Sequence, residues 1–197
     1  MVRRNDRQGS QTTEIDCEYC AQTLPVHRKG NAPGRFKFVF ADKFARKLMI
    51  WQAICSCGKK TKVFITGATM NGQVYKEKCL QEIVLPFIQS HEGPVKFWPD
   101  LASCHYARDV LEWYKQNNID VIEKRINPPN CPQFRSLERY WTIVKRKLKK
   151  CGKSIKTSSD MAKWWKKMAD TVDDATVQKL MVGIRRKVRE CIRTADK

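Results

Sequence analysis

The sequence predicts an α/β protein, a mixed β-sheet flanked by helices, on three observations. Short apolar runs are bounded by turn residues, and KLMIWQAIC (47–55) is dense enough for a strand buried on both faces. From residue 95 the pattern alternates: VKFWPD reads as a strand, DVLEWYKQNN as a helix and IDVIEK as a strand. That order returns the chain beside the strand it left. From Ser136 onward the spacing becomes helical, with Leu137, Trp141, Val144 and Leu148 forming one apolar stripe.

Taken in order, residues 1–12 are polar and basic and are expected to be disordered. TTEIDCEY alternates as a first strand, LPVHRKGNAPG carries the Pro and Gly of a loop, and RFKFVFADKF alternates Phe36, Phe38 and Phe40 with basic or small residues. After KLMIWQAIC, Gly58 turns the chain into TKVFIT, a hairpin. MNGQVYKEKCLQEIVLPFIQS places Val74, Cys79, Leu80, Ile83, Val84 and Phe87 near helical period, with Pro86 at a kink or the start of the last turn. VKFWPD delivers Asp100. The next helix is expected to turn Ala107, Val110, Leu111 and Tyr114 inward and to stop at Asn117-Asn118. INPPNCPQ is an extended approach to the helix at Ser136, residues 152–159 are a basic linker, and two amphipathic helices finish the chain. Met161, Trp164, Trp165 and Met168 line the first, and Val177, Leu180, Met181, Ile184, Val188 and Cys191 the second.

The chain's 197 residues, 42% of them hydrophobic, suffice for one domain with its own core. Lys and Arg number 39 against 20 Asp and Glu, a net charge of +19, which favours a polyanionic partner: nucleic acid first, an anionic membrane surface second. No apolar run approaches the ~20 residues needed to cross a bilayer. MVRRNDRQGSQTT lacks the apolar stretch of a signal peptide, so an intracellular, soluble protein is expected. The nine cysteines are then expected as thiols, metal ligands or core residues rather than as a disulfide framework. Cys17, Cys20, Cys55 and Cys57 could form a four-thiolate zinc site within a nucleic-acid module, whereas no histidine shows metal-ligand spacing.

Two acids stand out. Asp100 ends a short strand, and Glu138 follows after 37 intervening residues, in the first turn of the Ser136 helix. Carboxylates held on a strand end and a helix start suit a pair of hard divalent cations acting on a phosphodiester. The alternative is structural: Asp100 caps the helix starting near Ala102, and Glu138 is a first-turn acid favoured by the helix dipole.

KLMIWQAICSCGKK, FWPDLASCHYA and NPPNCPQFRSLERYW resemble, in the same order, three blocks of the Tc/mariner superfamily of DDE transposases, which are derived from transposable elements. The resemblance covers roughly residues 13 to 150, and the gap between Asp100 and Glu138 falls within that superfamily's habit. It implies an RNase H-like fold over residues 13–150, with 151–197 as a C-terminal helical extension of the same domain. It also implies Mg²⁺ or Mn²⁺, DNA as partner, and strand cleavage and transfer at transposon ends. A nuclear location and a homodimeric assembly are compatible with it.

Such an enzyme has three acids, the first directly before a glutamate on the first strand. EIDCEYC has Cys17 in that position, so Asp16 ranks first for the missing ligand, Glu18 second and Asp42 third. Side chains alternate faces along a strand, so a one-residue displacement is expected to need a bulge to restore the site. Leu101 stands where the family usually has an asparagine, and Ser136 replaces a common proline. His105 matches the family block and is expected either near the scissile phosphate or in a capping or core role.

The helix-turn-helix modules usual in the family are not expected in the few residues before the first strand. DNA contacts should therefore be electrostatic and nearly sequence-independent, from Lys145, Arg146, Lys147, Lys149, Lys150, Lys153 and Lys156 and from Arg185, Arg186, Lys187 and Arg189. KRKLKK also reads as a nuclear import signal. The competing expectation is a degenerate, catalytically impaired remnant that only binds DNA.

Overall fold

A computed structural model describes residues 13–23, 47–129, 131, 134–152, 155 and 157–195; for 13–23, 47, 185, 188, 191, 192, 194 and 195 it describes the backbone alone. The expected disordered N terminus, the LPVHRKGNAPG loop, the Phe36–Phe38–Phe40 strand and Asp42 lie outside these residues, as do Lys153 and Lys156.

Five strands form one sheet in the order β3-β2-β1-β4-β5: β1 (Thr13–Thr23), β2 (Lys47–Cys55), β3 (Phe64–Thr66), β4 (Val95–Pro99) and β5 (Asp120–Val121). β2 is antiparallel to β1 and β3, while β4 is parallel to β1 and β5. The helix after β3 begins with an α-turn (Gly72–Val74), runs as a π-helix over Tyr75–Val84 and closes as an α-turn over Leu85–Gln89; together these are α1. Asn71 caps it by accepting the Val74 N–H. Pro86 sits at the start of the closing turn, as expected from its missing N–H, and the Leu85 N–H reaches back to Leu80 O, five residues away. A 3₁₀ turn (Ser103–Tyr106) leads into α2 (Arg108–Gln116), and α3 (Ser136–Lys150), α4 (Ser158–Asp170) and α5 (Asp174–Ala195) follow.

The sheet is buried on both faces because side chains alternate along its strands. Trp51, Ala53, Cys55 and Phe97 point to one face and pack with Tyr75, Cys79, Leu80, Val84, Val110, Trp113 and Tyr114 of α1 and α2. Ile50 and Ile54 point to the other and pack with Leu137, Tyr140, Trp141 and Val144 of α3, Trp165 and Met168 of α4, and Val177 and Leu180 of α5. The helices thus make two layers around the sheet.

In α2 the inward residues are Val110, Trp113 and Tyr114, whereas Leu111 is 37% exposed, contrary to expectation. The buried stripe is centred on Val110, Trp113 and Tyr114, so Trp113 takes the inward place and Leu111 falls at its edge. Asn117 and Asn118 end the helix as expected, Asn118 in the left-handed region at φ 54°. On α3 and α4 the stripe falls as read, and Tyr140 joins it.

Trp141 is fully buried between the sheet and α4, its ring centroid 5.4 Å from that of Trp165. Trp141→Ala is expected to cost about 3–5 kcal/mol in urea unfolding. Leu111→Ala, on the exposed side of α2, is expected to cost under about 1 kcal/mol.

Candidate active site at the end of β4

β4 stops at Pro99, and Asp100 leaves the sheet at its C-terminal end. Asp100 Oδ1 accepts the Ala102 N–H at 2.9 Å and lies 2.6 Å from His105 Nδ1. The turn after the strand is therefore built around this carboxylate. Asp100 does not cap a helix, as weighed from the sequence: the 3₁₀ turn over Ser103–Tyr106 has Ala102 as its N-cap and the helix from Arg108 has Ala107, neither with a side-chain cap bond. His105 is fully buried, its ring 4.3 Å from that of Tyr75 on α1, whose hydroxyl is 3.1 Å from the Tyr114 hydroxyl on α2. Burial alone would lower the His105 pKa, but the hydrogen bonds and charges of Asp100 and Cys104 outweigh it and raise the pKa to about 9. His105 therefore holds Asp100 from beneath. Wholly enclosed, it does not stand on a DNA-facing surface, so it takes the core role and not the phosphate contact.

The start of α3 is tied to this strand end by a polar hub that sequence reading missed. Asn127 Nδ2 donates to the Pro99 carbonyl at 2.8 Å and to the Tyr106 hydroxyl at 2.8 Å. Its Oδ1 accepts from Trp98 Nε1 at 2.9 Å and from Arg135 Nη2 at 2.8 Å. Arg135 Nη1 also reaches the Pro99 carbonyl, at 3.2 Å, and the guanidinium lies 5.3 Å from the centroid of the Trp98 ring. Tyr106 passes its own proton to Ile122 O beyond β5. Next in the chain, the buried Ser136 hydroxyl donates to Leu180 O of α5 at 2.8 Å. The residue before α3 is thus bonded to the residue before Asp100. Glu138, half-buried in the first turn, sits about one helical turn beyond Arg135. The only signal in the sequence was an Asn before two prolines, which marks a turn but names no partner.

The register settles which faces the first-strand positions occupy. β1 pairs without a break from Ile15 to Thr23 with β2 and from Thr13 to Cys17 with β4, so no bulge intervenes over those stretches. Position 16 pairs with Ile54 and Trp98, and position 18 with Gln52. These belong to the α3 face, where Ile54 packs and Gln52 bonds to Tyr140. Position 17 pairs with Ala53 and Pro99, on the face of α1 and α2. Positions 16 and 18 therefore lie on the sheet face that α3 covers, and no bulge brings position 16 to the face of position 17. Positions 17 and 20 fall on opposite faces, which rules out gathering both with Cys55 and Cys57 on one side of the sheet.

Of the expected DNA-contacting cations, Lys145, Arg146, Lys149 and Lys150 are exposed, as are Arg186 and Arg189. Lys147 and Lys187 are half-buried, Lys147 donating to Thr171 O at 3.2 Å, and Arg185 is described only in its backbone on α5. The α3 group lies roughly 10–18 Å along the helix axis from Glu138.

No family model and no curated protein matches the chain by sequence. Among solved structures it is similar to the Mos1 strand transfer complex at a TM-score of 0.65 and 16% identity, over 94% of this chain and 55% of that one. It is similar to the Mos1 mariner paired end complex with Mn at 0.65 and 18%, over 94% and 56%. To the catalytic domain of Mos1 mariner transposase the values are 0.62 and 14%, over 92% and 81%. The chain thus spans about half the length of the first two and most of the third. It has the fold of the Mos1 catalytic domain, the RNase H-like architecture expected from its sequence.

Two outcomes follow for the site. Asn127→Ala strands a buried Arg135 N–H and a half-buried Trp98 N–H, and is expected to cost about 1–3 kcal/mol in urea unfolding. With metal removed by chelator, the raised His105 pKa makes a stabilising contribution that is whole below about pH 6.5 and is lost as pH rises through about 9. Wild-type stability should therefore fall relative to His105→Gln across that window, by roughly 3–4 kcal/mol in total.

Proposed function

We propose that this chain is the catalytic domain of a Tc/mariner-type DDE transposase, cutting DNA at transposon ends and joining the freed 3′ end to a target. One observation carries the reading: the Arg135–Asn127–Pro99 hub fastens the first turn of α3 to the end of β4, with an acid on either side of the fastening. The strand order and the likeness to the Mos1 catalytic domain support it.

Asp100 and Glu138 supply carboxylate oxygens on rigid backbone, with Asp16 proposed as the third acid from β1, where its position pairs with Trp98 two residues before Asp100, and this hard donor set fits Mg²⁺ or Mn²⁺. Paired divalent cations, when bound, lower the pKa of an attacking water or 3′ hydroxyl and stabilise the departing oxygen. The chain's own part is positional. The His105 ring fixes the Asp100 carboxylate, Arg135 and Asn127 fix the backbone beneath it, and Ser136 anchors the helix that carries Glu138 to α5. Cys17, on the opposite face, takes no part. The exposed cations of α3 and α5 supply sequence-independent attraction to the DNA backbone, and we infer a nuclear location from KRKLKK on α3.

A second reading has one observation behind it: Asp100 already serves its own turn and His105, as a purely structural aspartate would. In that case the chain binds DNA without cutting it. Supercoiled plasmid with Mn²⁺ separates the two. We expect wild type to nick it, and Asp100→Asn and Glu138→Gln, which keep side-chain shape, to slow nicking by at least roughly two orders of magnitude. Asp16→Asn should do the same, and Cys17→Asp should give no gain. Plasmid binding without nicking by wild type would establish the second reading.

A further inference from the structure

At the end of the sheet opposite Asp100, three side chains far apart in sequence converge. Cys55 is the last residue of β2, Cys57 lies in the turn that follows, and His91 comes just after α1, before β4 begins. His91 Nε2 is 3.2 Å from Cys55 Sγ and 3.3 Å from Cys57 Sγ, and the two sulfurs are 2.8 Å apart. Among the described residues this is the one cluster of His, Cys, Asp or Glu whose ligand atoms all lie within 4.8 Å of one another. From these distances and the way each residue is held, we propose that Cys55, Cys57 and His91 form a zinc site, with a fourth position open to water or another ligand.

The imidazole is oriented for it. Its other nitrogen, Nδ1, is 2.7 Å from the Phe87 carbonyl, and a carbonyl oxygen can only accept, so Nδ1 carries the proton. In the neutral ring Nε2 is then a bare lone pair aimed at the two sulfurs. A histidine ligand whose remote N–H is bound to a backbone carbonyl is the usual outer-sphere arrangement at zinc. The Phe87 ring, 4.6 Å from the imidazole, fixes the same orientation from the side.

The cysteines sit on an equally fixed frame. The Cys55 N–H bonds to Lys59 O at 2.8 Å, and the Gly58 N–H to Cys55 O at 2.9 Å. Gly58 closes this turn at φ 96°, a conformation that L-residues rarely adopt, and its Cα faces the Asp174 backbone so closely that a Cβ would lie 2.6 Å from that carbonyl oxygen. The Cys57 N–H points at Cys55 Sγ, 3.3 Å away, which fixes that sulfur against the turn.

Tetrahedral zinc with Zn–S near ~2.3 Å and Zn–N near ~2.0–2.1 Å needs sulfur–sulfur separations of roughly 3.7 Å and sulfur–nitrogen separations of about 3.5 Å. The nitrogen is close to position already. The sulfurs must part by about 1 Å, which the exposed Cys57 can provide while buried Cys55 stays put. Two thiolates and one imidazole are a soft donor set and exclude Mg²⁺ or Mn²⁺. This centre is therefore distinct from one at Asp100, and it does not depend on the catalytic reading. Its effect would be to staple the β2–β3 turn to the end of α1, across 34 residues of chain.

The test is metal content of the full chain, expressed with zinc supplied, freed of loose metal by gel filtration and measured by elemental mass spectrometry. One zinc per chain is expected. Cys57→Ser and His91→Ala should bring it close to zero, while Cys151→Ser should leave it unchanged. Co²⁺ added to the chelator-stripped protein should give thiolate-to-cobalt absorption in wild type and Cys151→Ser only. Circular dichroism on each variant separates lost ligation from lost folding, and the exposed Cys57 makes its serine variant the safer of the two. Folded wild type without zinc and without the cobalt band would overturn the proposal. So would zinc retained by both folded ligand variants, or a Cys55–Cys57 disulfide, seen as a mass two units lower, in protein kept reduced throughout.

Discussion

The carbonyl group of Pro99 holds the candidate site together. Pro99 is the last residue of β4, and its oxygen takes hydrogen bonds from both Asn127 and Arg135. Left unsatisfied in this enclosed place it would cost about 1–3 kcal/mol, and the buried guanidinium would cost more without its acceptors. Each group satisfies the other, and in doing so each sets a distance. The strand end and the helix start cannot separate without exposing both. The backbone just before Asp100 is thereby fastened to the residue that leads into the first turn of α3, which carries Glu138.

The rest of the fold protects this arrangement. The sheet alternates its side chains so cleanly that two cores form. One, under α1 and α2, encloses His105 and so supports Asp100 from below. The other, under α3, α4 and α5, seats the helix bearing Glu138. Charge is arranged along α3 in the same spirit. Its acid lies in the first turn, where the helix dipole favours it, and its cations lie in the last turns, where they face solvent.

Much of this was legible in the residues. The strands at 47–55 and 95–99 and the helix at 136–150 have strong patterns, because burial on one or both faces leaves a period that composition cannot hide. Leu111 was misplaced because Val110 and Tyr114 are compatible with either Leu111 or Trp113 as their inward neighbour, and apolar spacing alone does not choose between them. The hub was invisible for a different reason: Trp98, Tyr106, Asn127 and Arg135 are unremarkable one by one, and only folding brings their polar atoms together. The same holds for His91, which has no metal-ligand spacing in sequence yet lies beside Cys55 and Cys57. The strand register puts position 17 on the other face of the sheet from positions 16 and 18, a pairing that no single strand's sequence reveals.

The central claim is that the hub brings the carboxylates of Asp100 and Glu138 to a common divalent cation. Anomalous diffraction from crystals soaked in Mn²⁺ tests it most directly, because manganese announces its own position. The account requires an anomalous peak coordinated by oxygens of both residues. A peak touching neither, or the two carboxylates too far apart for a pair of ions to bridge, would contradict it.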